Sequence, residues 1–194
     1  MHTDPTTTPL YRYFADAGLG EAAAAAIASA FGTRTIGQGD YFLQTGAVCK
    51  HIAFVESGLF QHVVLTSAGD ERTTYVATPG RFLASIASFV HQQPARESIR
   101  CIADGRLWQI TRAELQRLLV EVAGFQIFYI DLLEYQLDCI EQSRFDFVVL
   151  SAEQRYTKML AEEPHLLQTI PLQYLASILG ITPRHLSRIR GKIR

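Results

Sequence analysis

The residues best suited to chemistry lie at the end of the chain, and that chemistry is contact with a polyanion. Between Pro171 and Arg194 stand Arg184, Arg188, Arg190, Lys192 and Arg194, with no Asp or Glu among them. The whole chain holds 18 Lys and Arg against 19 Asp and Glu, so setting those five aside leaves 13 bases against 19 acids. A cationic terminal stretch on an otherwise acidic chain is the electrostatic footprint of polyanion binding. Covalent and metal chemistry find no such support. Cys49, Cys101 and Cys139 are far apart, odd in number and form no CxxC pair, so they read as free thiols in a reducing compartment. The six histidines are scattered singly, and His51 and His62 read as ordinary residues on strands. No Ser/His/Asp, Cys/His or Gly-rich phosphate set is present. Neither metal nor cofactor is expected, and the chain reads as a non-enzyme.

The segment carrying the basic residues has a helix–turn–helix grammar. Pro171 suits a helix start, and Leu172, Leu175, Ala176 and Leu179 form an apolar face. Gly180 is placed to end that helix in the left-handed conformation glycine tolerates. Thr182 caps a second helix, and Pro183 takes the first position, where a missing N–H costs nothing. Leu186, Ile189 and Ile193 face inward, leaving Arg184, His185, Ser187, Arg188 and Lys192 outward. Arg184 and Arg188, four residues apart on one face, are the candidates for base edges, since Arg can grip guanine bidentately. Thr182, Ser187, Arg190 and Lys192 suit phosphates, as does the N-terminus of the second helix.

The rest of the chain must position that module. Met1–Pro9 is rich in Thr and Pro, reads as frayed, and has no signal-peptide pattern. Leu10–Phe31, with its alanine run, reads as one helix. Short segments then alternate with glycine-bearing turns, predicting strands at Thr33–Ile36, Tyr41–Gln44, His51–Ser57, Leu59–Thr66, Arg72–Ala77, Ser98–Ala103 and Arg106–Thr111. Phe82–His91 suits a short helix between strands. Thr111 and Glu114 form a capping box that opens a further helix. After Ala123-Gly124 comes a helix over Phe125–Val149, along which Ile130, Leu133, Leu137, Ile140 and Phe147 form a stripe interrupted by Arg144. At 1.5 Å per residue it would span roughly 37 Å, too long for one small domain to cover, so the stripe reads as a homodimer seam. Ser151–Glu162 is a helix with Tyr156, Met159 and Leu160 inward. A polar turn follows Glu163-Pro164.

The whole pattern resembles the Crp/Fnr family of bacterial regulators. The resemblance rests on the leading helix, the glycine turns Gly37-Gln38-Gly39-Asp40, Gly46 and Gly58, the long helix, and the segment from Gly180 to Arg188. It implies an eight-stranded roll and places Pro183, Arg184 and Arg188 at base edges. Family members carry a β-wing after the recognition helix; the chain stops at Arg194, so that wing is expected to be absent. In cyclic-AMP-binding members, a Phe-x-Gly-Glu-Leu segment and a following Arg-Ser/Thr-Ala hold the ribose and cyclic phosphate. The equivalent stretches here are Phe82–Ala87 and Pro94–Ser98. Ser85 replaces the ribose-binding glutamate, and Ala95 aligns with the phosphate-binding arginine. Arg96 lies one position late, on the other face of a strand unless the register shifts by one. Glu97 adds a negative charge where the phosphate would sit. The implied effector pocket comprises Phe82, Ser85, Ile86, Arg96 and Ser98, and cyclic AMP is not expected to be its ligand. No cysteine cluster of the oxygen-sensing branch precedes Cys49, and Cys49, His51 or His62 would serve as haem ligands only by coincidence.

The expected architecture is therefore α+β: an antiparallel β-roll (a double-stranded β-helix, cyclic-nucleotide-binding-like) with flanking helices. Residues 1–124 form the sensor roll, 125–149 the dimer helix and 150–194 the helix-turn-helix domain without a wing. Expected partners are double-stranded DNA, a second copy of the chain and, as a further candidate, RNA polymerase. No apolar stretch is long enough for a membrane span, so a soluble cytoplasmic protein is expected. The alternative is an effector-binding or cupin-like roll whose DNA-binding role has been lost.

Overall fold

The computed structural model describes residues 5–193. Residues 1–4, part of the start expected to fray, and Arg194, one of the five terminal bases, lie outside the described residues. Helices α1 (Pro9–Asp16) and α2 (Glu21–Ser29) lead into strands β1 (Gly32–Ile36), β2 (Tyr41–Leu43), β3 (His51–Leu65), β4 (Glu71–Ala77) and β5 (Phe82–Leu83). Helix α3 (Ile86–His91) precedes β6 (Ser98–Thr111). The chain is helical thereafter: α4 (Arg112–Glu121), α5 (Phe125–Val149), α6 (Ala152–Glu162), α7 (Pro164–Thr169), α8 (Leu172–Ile178) and α9 (Pro183–Ile193). The strands pair antiparallel in the order β1-β6-β3-β4, with β2 added on β6 and β5 on β3. This is the expected roll flanked by helices.

Glycines account for the main departures from the expected elements. The expected single helix over Leu10–Phe31 is two, because Gly18 adopts a φ of +88° between them. Gly58 and Asp104-Gly105, expected as turns, lie inside strands. His51–Leu65 and Ser98–Thr111 each run unbroken, with bulges around Gly58 where the two cross. Gly58 has a φ of +87°, and a β-carbon there would fall 2.5 Å from the Cα of Gly105. A β-carbon on Gly105 would in turn fall 2.5 Å from the Phe60 ring. The bulges bend both strands, so each serves as two segments of the roll; counted that way, six strands supply the eight expected.

Smaller corrections have local causes. Phe82–Leu83 pairs with β3 as a short strand, so the helix expected over Phe82–His91 starts only at Ile86. Pro164 opens α7 instead of a polar turn, as proline can at a first helical position. In α6, Tyr156 is buried but Leu160 is exposed, not inward.

Helices α1 and α5 meet the roll through an aromatic cluster. Tyr13 and Phe14 of α1 pack against Phe54 and Phe82, and Phe14 also touches Phe125 and Phe128 at the start of α5. The Thr111–Glu114 capping box forms as expected at the start of α4. Gly124, with a φ of +80°, then lets the chain turn into α5.

Gly58→Ala is expected to cost about 3 kcal/mol or more, since it combines a positive φ with backbone overlap. Gly69→Ala meets the same φ problem in open space and is expected to cost only about 1–2 kcal/mol. Denaturant unfolding of both variants checks this, and equal losses would show that the strand crossing tolerates a side chain.

Candidate nucleic-acid interface and the interior of the roll

The terminal module forms as the sequence predicts. Helix α8 ends in a Schellman motif: Ile181 N–H donates to the Ala176 carbonyl at 2.9 Å and Gly180 N–H to Ser177 at 3.0 Å, with Gly180 at a φ of +70°. Thr182 then caps α9, its Oγ1 accepting from His185 N–H at 3.2 Å. Leu186 and Ile189 are buried against Leu175, Ala176 and Leu179. Thr182, Pro183, Arg184, His185, Ser187 and Arg188 are exposed, and no ion pair engages Arg184 or Arg188 among the described residues. Lys192 is exposed, 3.8 Å from Glu153. Arg190, expected to suit phosphates, is placed otherwise. It turns inward, donating to the Leu167 carbonyl at 3.2 Å and lying over the Tyr156 ring, so it ties α9 to α6 and α7.

A residue outside the motif fixes this module to the long helix. Arg155 of α6 donates to the carbonyls of Leu150 at 2.6 Å and Phe147 at 3.3 Å, at the end of α5, and to Leu179 at 2.8 Å, at the end of α8. Two helix C-termini, each a focus of unpaired carbonyls and partial negative charge, thus converge on one guanidinium. Its Cζ lies 4.5 Å from the Phe147 ring centroid, and a β-carbon on Gly180 would fall 2.9 Å from that ring. Phe147, expected in the dimer stripe, is thereby part of the α5–α8 joint. Lys158 of α6 adds an ion pair to Asp146 of α5 at 2.6 Å. An arginine inside a polar helix gives no sequence signal for such a role.

The module also docks on the roll. Leu59 and Val76 share one apolar cluster with Tyr156, Ile170, Leu175, Leu179 and Leu186. The Thr73 N–H of β4 donates to Ser177 Oγ of α8 at 2.8 Å. Behind it, a polar ladder crosses three strands. Arg100 bonds Glu71 at 2.8 Å and Gln61 Oε1 at 2.9 Å, and Gln61 Nε2 bonds Thr73 Oγ1 at 2.8 Å. Arg81 pairs with Glu163 between α6 and α7 at 3.0 Å and lies within electrostatic reach of Tyr135 of α5.

Helix α5 leaves its stripe uncovered. Ile130, Leu133, Leu137 and Ile140 are 46%, 37%, 64% and 65% exposed, and Ile127 at 68% extends the face.

Inside the roll, the five expected pocket residues do not converge. Phe82 belongs to the aromatic cluster, Ile86 and Arg96 are exposed, and Ser98 Oγ is bonded to Thr45. Only Ser85 faces a polar centre, made of residues not expected to act together: Glu97 accepts a hydrogen bond from His62 Nδ1 at 3.1 Å and lies near Ser85. His62 is buried, packs edge-on against Tyr75, and its Nε2 has no hydrogen-bond partner among the described residues. Burial pushes the Glu97 carboxyl up, but the His62 hydrogen bond and charge and the nearby Ser85 hydroxyl outweigh it and hold the group below its ordinary value. Cys49 lies beside this centre, its N–H bonded to Ser88 and its thiol pushed up by burial. Among the described residues no group of three His, Cys, Asp or Glu could hold a metal ion, and no helix is long and apolar enough to cross a membrane.

Comparison with known proteins agrees with this geometry. Residues 33–121 match the family described as the cyclic nucleotide-binding domain. No curated protein matches the chain by sequence. Among solved structures, the chain is similar to the catabolite activator protein of Thermus thermophilus, with a TM-score of 0.60, 19% identity, and coverage of 93% of this chain and 85% of that one. The c-di-GMP-responsive global regulator CLP of Xanthomonas campestris gives 0.65 at 17% identity, covering 90% and 91%. A mutant of CooA from Carboxydothermus hydrogenoformans gives 0.68 at 15% identity, covering 87% and 78%. Each of these likenesses covers 87% or more of this chain, so the chain has a Crp/Fnr-like fold in which residues 33–121 match the cyclic nucleotide-binding domain.

Proposed function

We propose that the protein is a sequence-specific DNA-binding transcription regulator, not an enzyme, that acts as a homodimer. The observation that carries this reading is the outer face of α9, where Arg184, His185, Ser187 and Arg188 are exposed over a buried Leu186 and Ile189 and neither arginine is in an ion pair among the described residues. Arg184 and Arg188 read base edges, with Pro183 close against them, while Thr182, Ser187, Lys192 and the α9 N-terminus hold phosphates. Arg190, committed to Leu167 and Tyr156, supports the helix from behind. An intact and uncovered reading face argues against a roll that has lost its DNA-binding role. RNA polymerase is a candidate partner of the DNA-bound dimer.

The dimer forms along α5, whose apolar stripe would otherwise remain in water. Cyclic AMP is not the effector, because Glu97 places a carboxylate at the polar centre of the roll and no arginine pairs with it among the described residues. Isothermal titration with cyclic AMP and cyclic GMP is expected to show no binding in the micromolar range, and a saturable isotherm would overturn this part of the reading. Leu133→Glu with Leu137→Glu buries charge in the seam and is expected to give monomers in sedimentation analysis; a persistent dimer places the interface elsewhere.

Two recognition helices in a dimer read a two-fold symmetric operator with half-sites about 34 Å apart. Arg184→Ala or Arg188→Ala is expected to cost about 1–3 kcal/mol and to relax preference at particular base pairs. Lys192→Ala instead weakens binding to all sequences alike and lowers the salt slope by about one. Selection of random duplexes, followed by binding assays over a salt series, measures both. Recovery of no palindrome, or uniform weakening by all three variants with sequence preference intact, would refute the assignment of the two arginines as readers.

A further inference from the structure

A groove of about 580 Å³ lies between β1, β2 and the start of β3, within the size range of small-molecule sites, roughly 300–1,000 Å³. None of the residues of the expected effector pocket lines it. Its lining brings three nitrogen bases together from two stretches of chain: Arg34 on β1, Lys50 just before β3 and His51 at the first position of β3. Phe42 and Val48 add apolar wall. We propose that this groove binds a small organic carboxylate, its anionic group on Arg34, Lys50 and His51 and its apolar body against Phe42 and Val48.

The bases are positioned without being neutralised. Arg34 lies over the Phe42 ring, its Cζ 5.7 Å from the centroid, and donates to the Tyr41 carbonyl at 3.4 Å. A guanidinium carries five donors in a fixed plane, so most of its fork is left for a carboxylate. Lys50 is exposed, and none of the three bases is in an ion pair among the described residues. Asp40 also lines the groove, but its carboxylate lies against the Gly37 turn, where a β-carbon would fall 3.3 Å from Oδ2. Glu114, which acts on His51 from α4, is engaged by the Thr111 N–H at 3.2 Å and the Thr111 hydroxyl at 2.8 Å.

Bonds made outside the groove fix its walls. Gly46 N–H donates to the Ala95 carbonyl at 2.8 Å, Ala95 N–H returns to Ala47 at 2.9 Å, and Cys49 N–H donates to Ser88 at 2.9 Å. Strands β1 and β2 both pair with β6. Little therefore has to be ordered when a ligand enters. Inorganic phosphate would satisfy the bases but leave Phe42 and Val48 uncovered, which favours an anion with an apolar body.

His51 gives the site a signature in pH. Burial and then Arg34 hold its imidazole below its ordinary value, with Lys50 adding to them and Glu114 opposing. A bound carboxylate favours the imidazolium, so binding takes up a proton and affinity rises as pH falls. Arg34, Lys50 and Glu114 are the charged groups acting on His51, and such groups keep their charge between about pH 8 and pH 6.

The experiment is titration of the full-length chain with sodium benzoate, read by calorimetry and by amide NMR shifts. Benzamide, the neutral isostere, and inorganic phosphate are the comparisons. Benzoate is expected to bind saturably, with a dissociation constant in the millimolar range or tighter, and to shift the signals of Phe42 and Lys50. Its affinity should be at least about threefold higher at pH 6 than at pH 8, and benzamide and phosphate should bind more weakly. Lys50→Glu, a change at an exposed position, should weaken benzoate about tenfold, and His51→Gln should flatten the pH profile. Arg188→Ala, on the face proposed to read DNA, should leave benzoate binding unchanged. Absence of saturable benzoate binding, equal binding of benzamide or phosphate, affinity untouched by Lys50→Glu, or a pH profile that His51→Gln leaves as it was would overturn the proposal. None of these outcomes depends on DNA or on the dimer, so the site stands or falls apart from the regulator reading.

Discussion

Everything beyond the roll depends on one guanidinium meeting two helix ends. Arg155 accepts the task that capping residues usually share, closing the carbonyls of α5 through Phe147 and Leu150 and of α8 through Leu179. Charged hydrogen bonds of this kind are individually stronger than neutral ones, and a partly buried site weakens competition from water. The geometric effect matters as much as the energy. A planar fork with fixed donor directions sets the angle between α5 and α8, and the Phe147 ring against Gly180 sets their separation. A lysine in that place could satisfy one carbonyl but could not hold two helices at a fixed angle.

The same division of labour runs through the terminal module. Its basic residues look alike in sequence but are of two kinds. Arg184 and Arg188 are in no ion pair among the described residues, whereas Arg155 and Arg190 use their charge on backbone carbonyls. Committed arginines make the platform rigid, and uncommitted ones can then be aimed. Residues at a reading interface gain from being held by neighbours that do no reading, since ordering a long side chain only on binding costs affinity.

How much of this was legible from the residues differs by level. Local chemistry was: the Thr111–Glu114 box, the Gly180 turn, the Thr182-Pro183 start and the full span of α5 all follow from capping, φ and spacing over a few positions. Strand continuity was not. Gly58 and Gly105 carry a turn signature, and only the strand that crosses each of them explains why glycine is needed there. The joint at Arg155 and the inward turn of Arg190 depend on carbonyls 24 and 23 residues away in the chain, and a polar helix offers no periodic hint of either. The roll interior was misread for a related reason. His62 and Glu97 are 35 positions apart, and each alone reads as ordinary; they acquire meaning only when β3 and the rim before β6 bring them together.

The bond from Thr73 to Ser177 closes one edge of the sheet against strand pairing with another molecule. In the order β1-β6-β3-β4, strand β4 ends the main path of the sheet, and its outward backbone groups could template pairing with a strand from another molecule. Helix α8 sits beside that edge and supplies a hydroxyl to one of its N–H groups. The terminal helical module therefore also guards an open sheet margin. A roll cut off before α6 would bare both that margin and the apolar side chains of Leu59 and Val76, favouring strand-to-strand aggregation at an edge that the intact chain keeps covered.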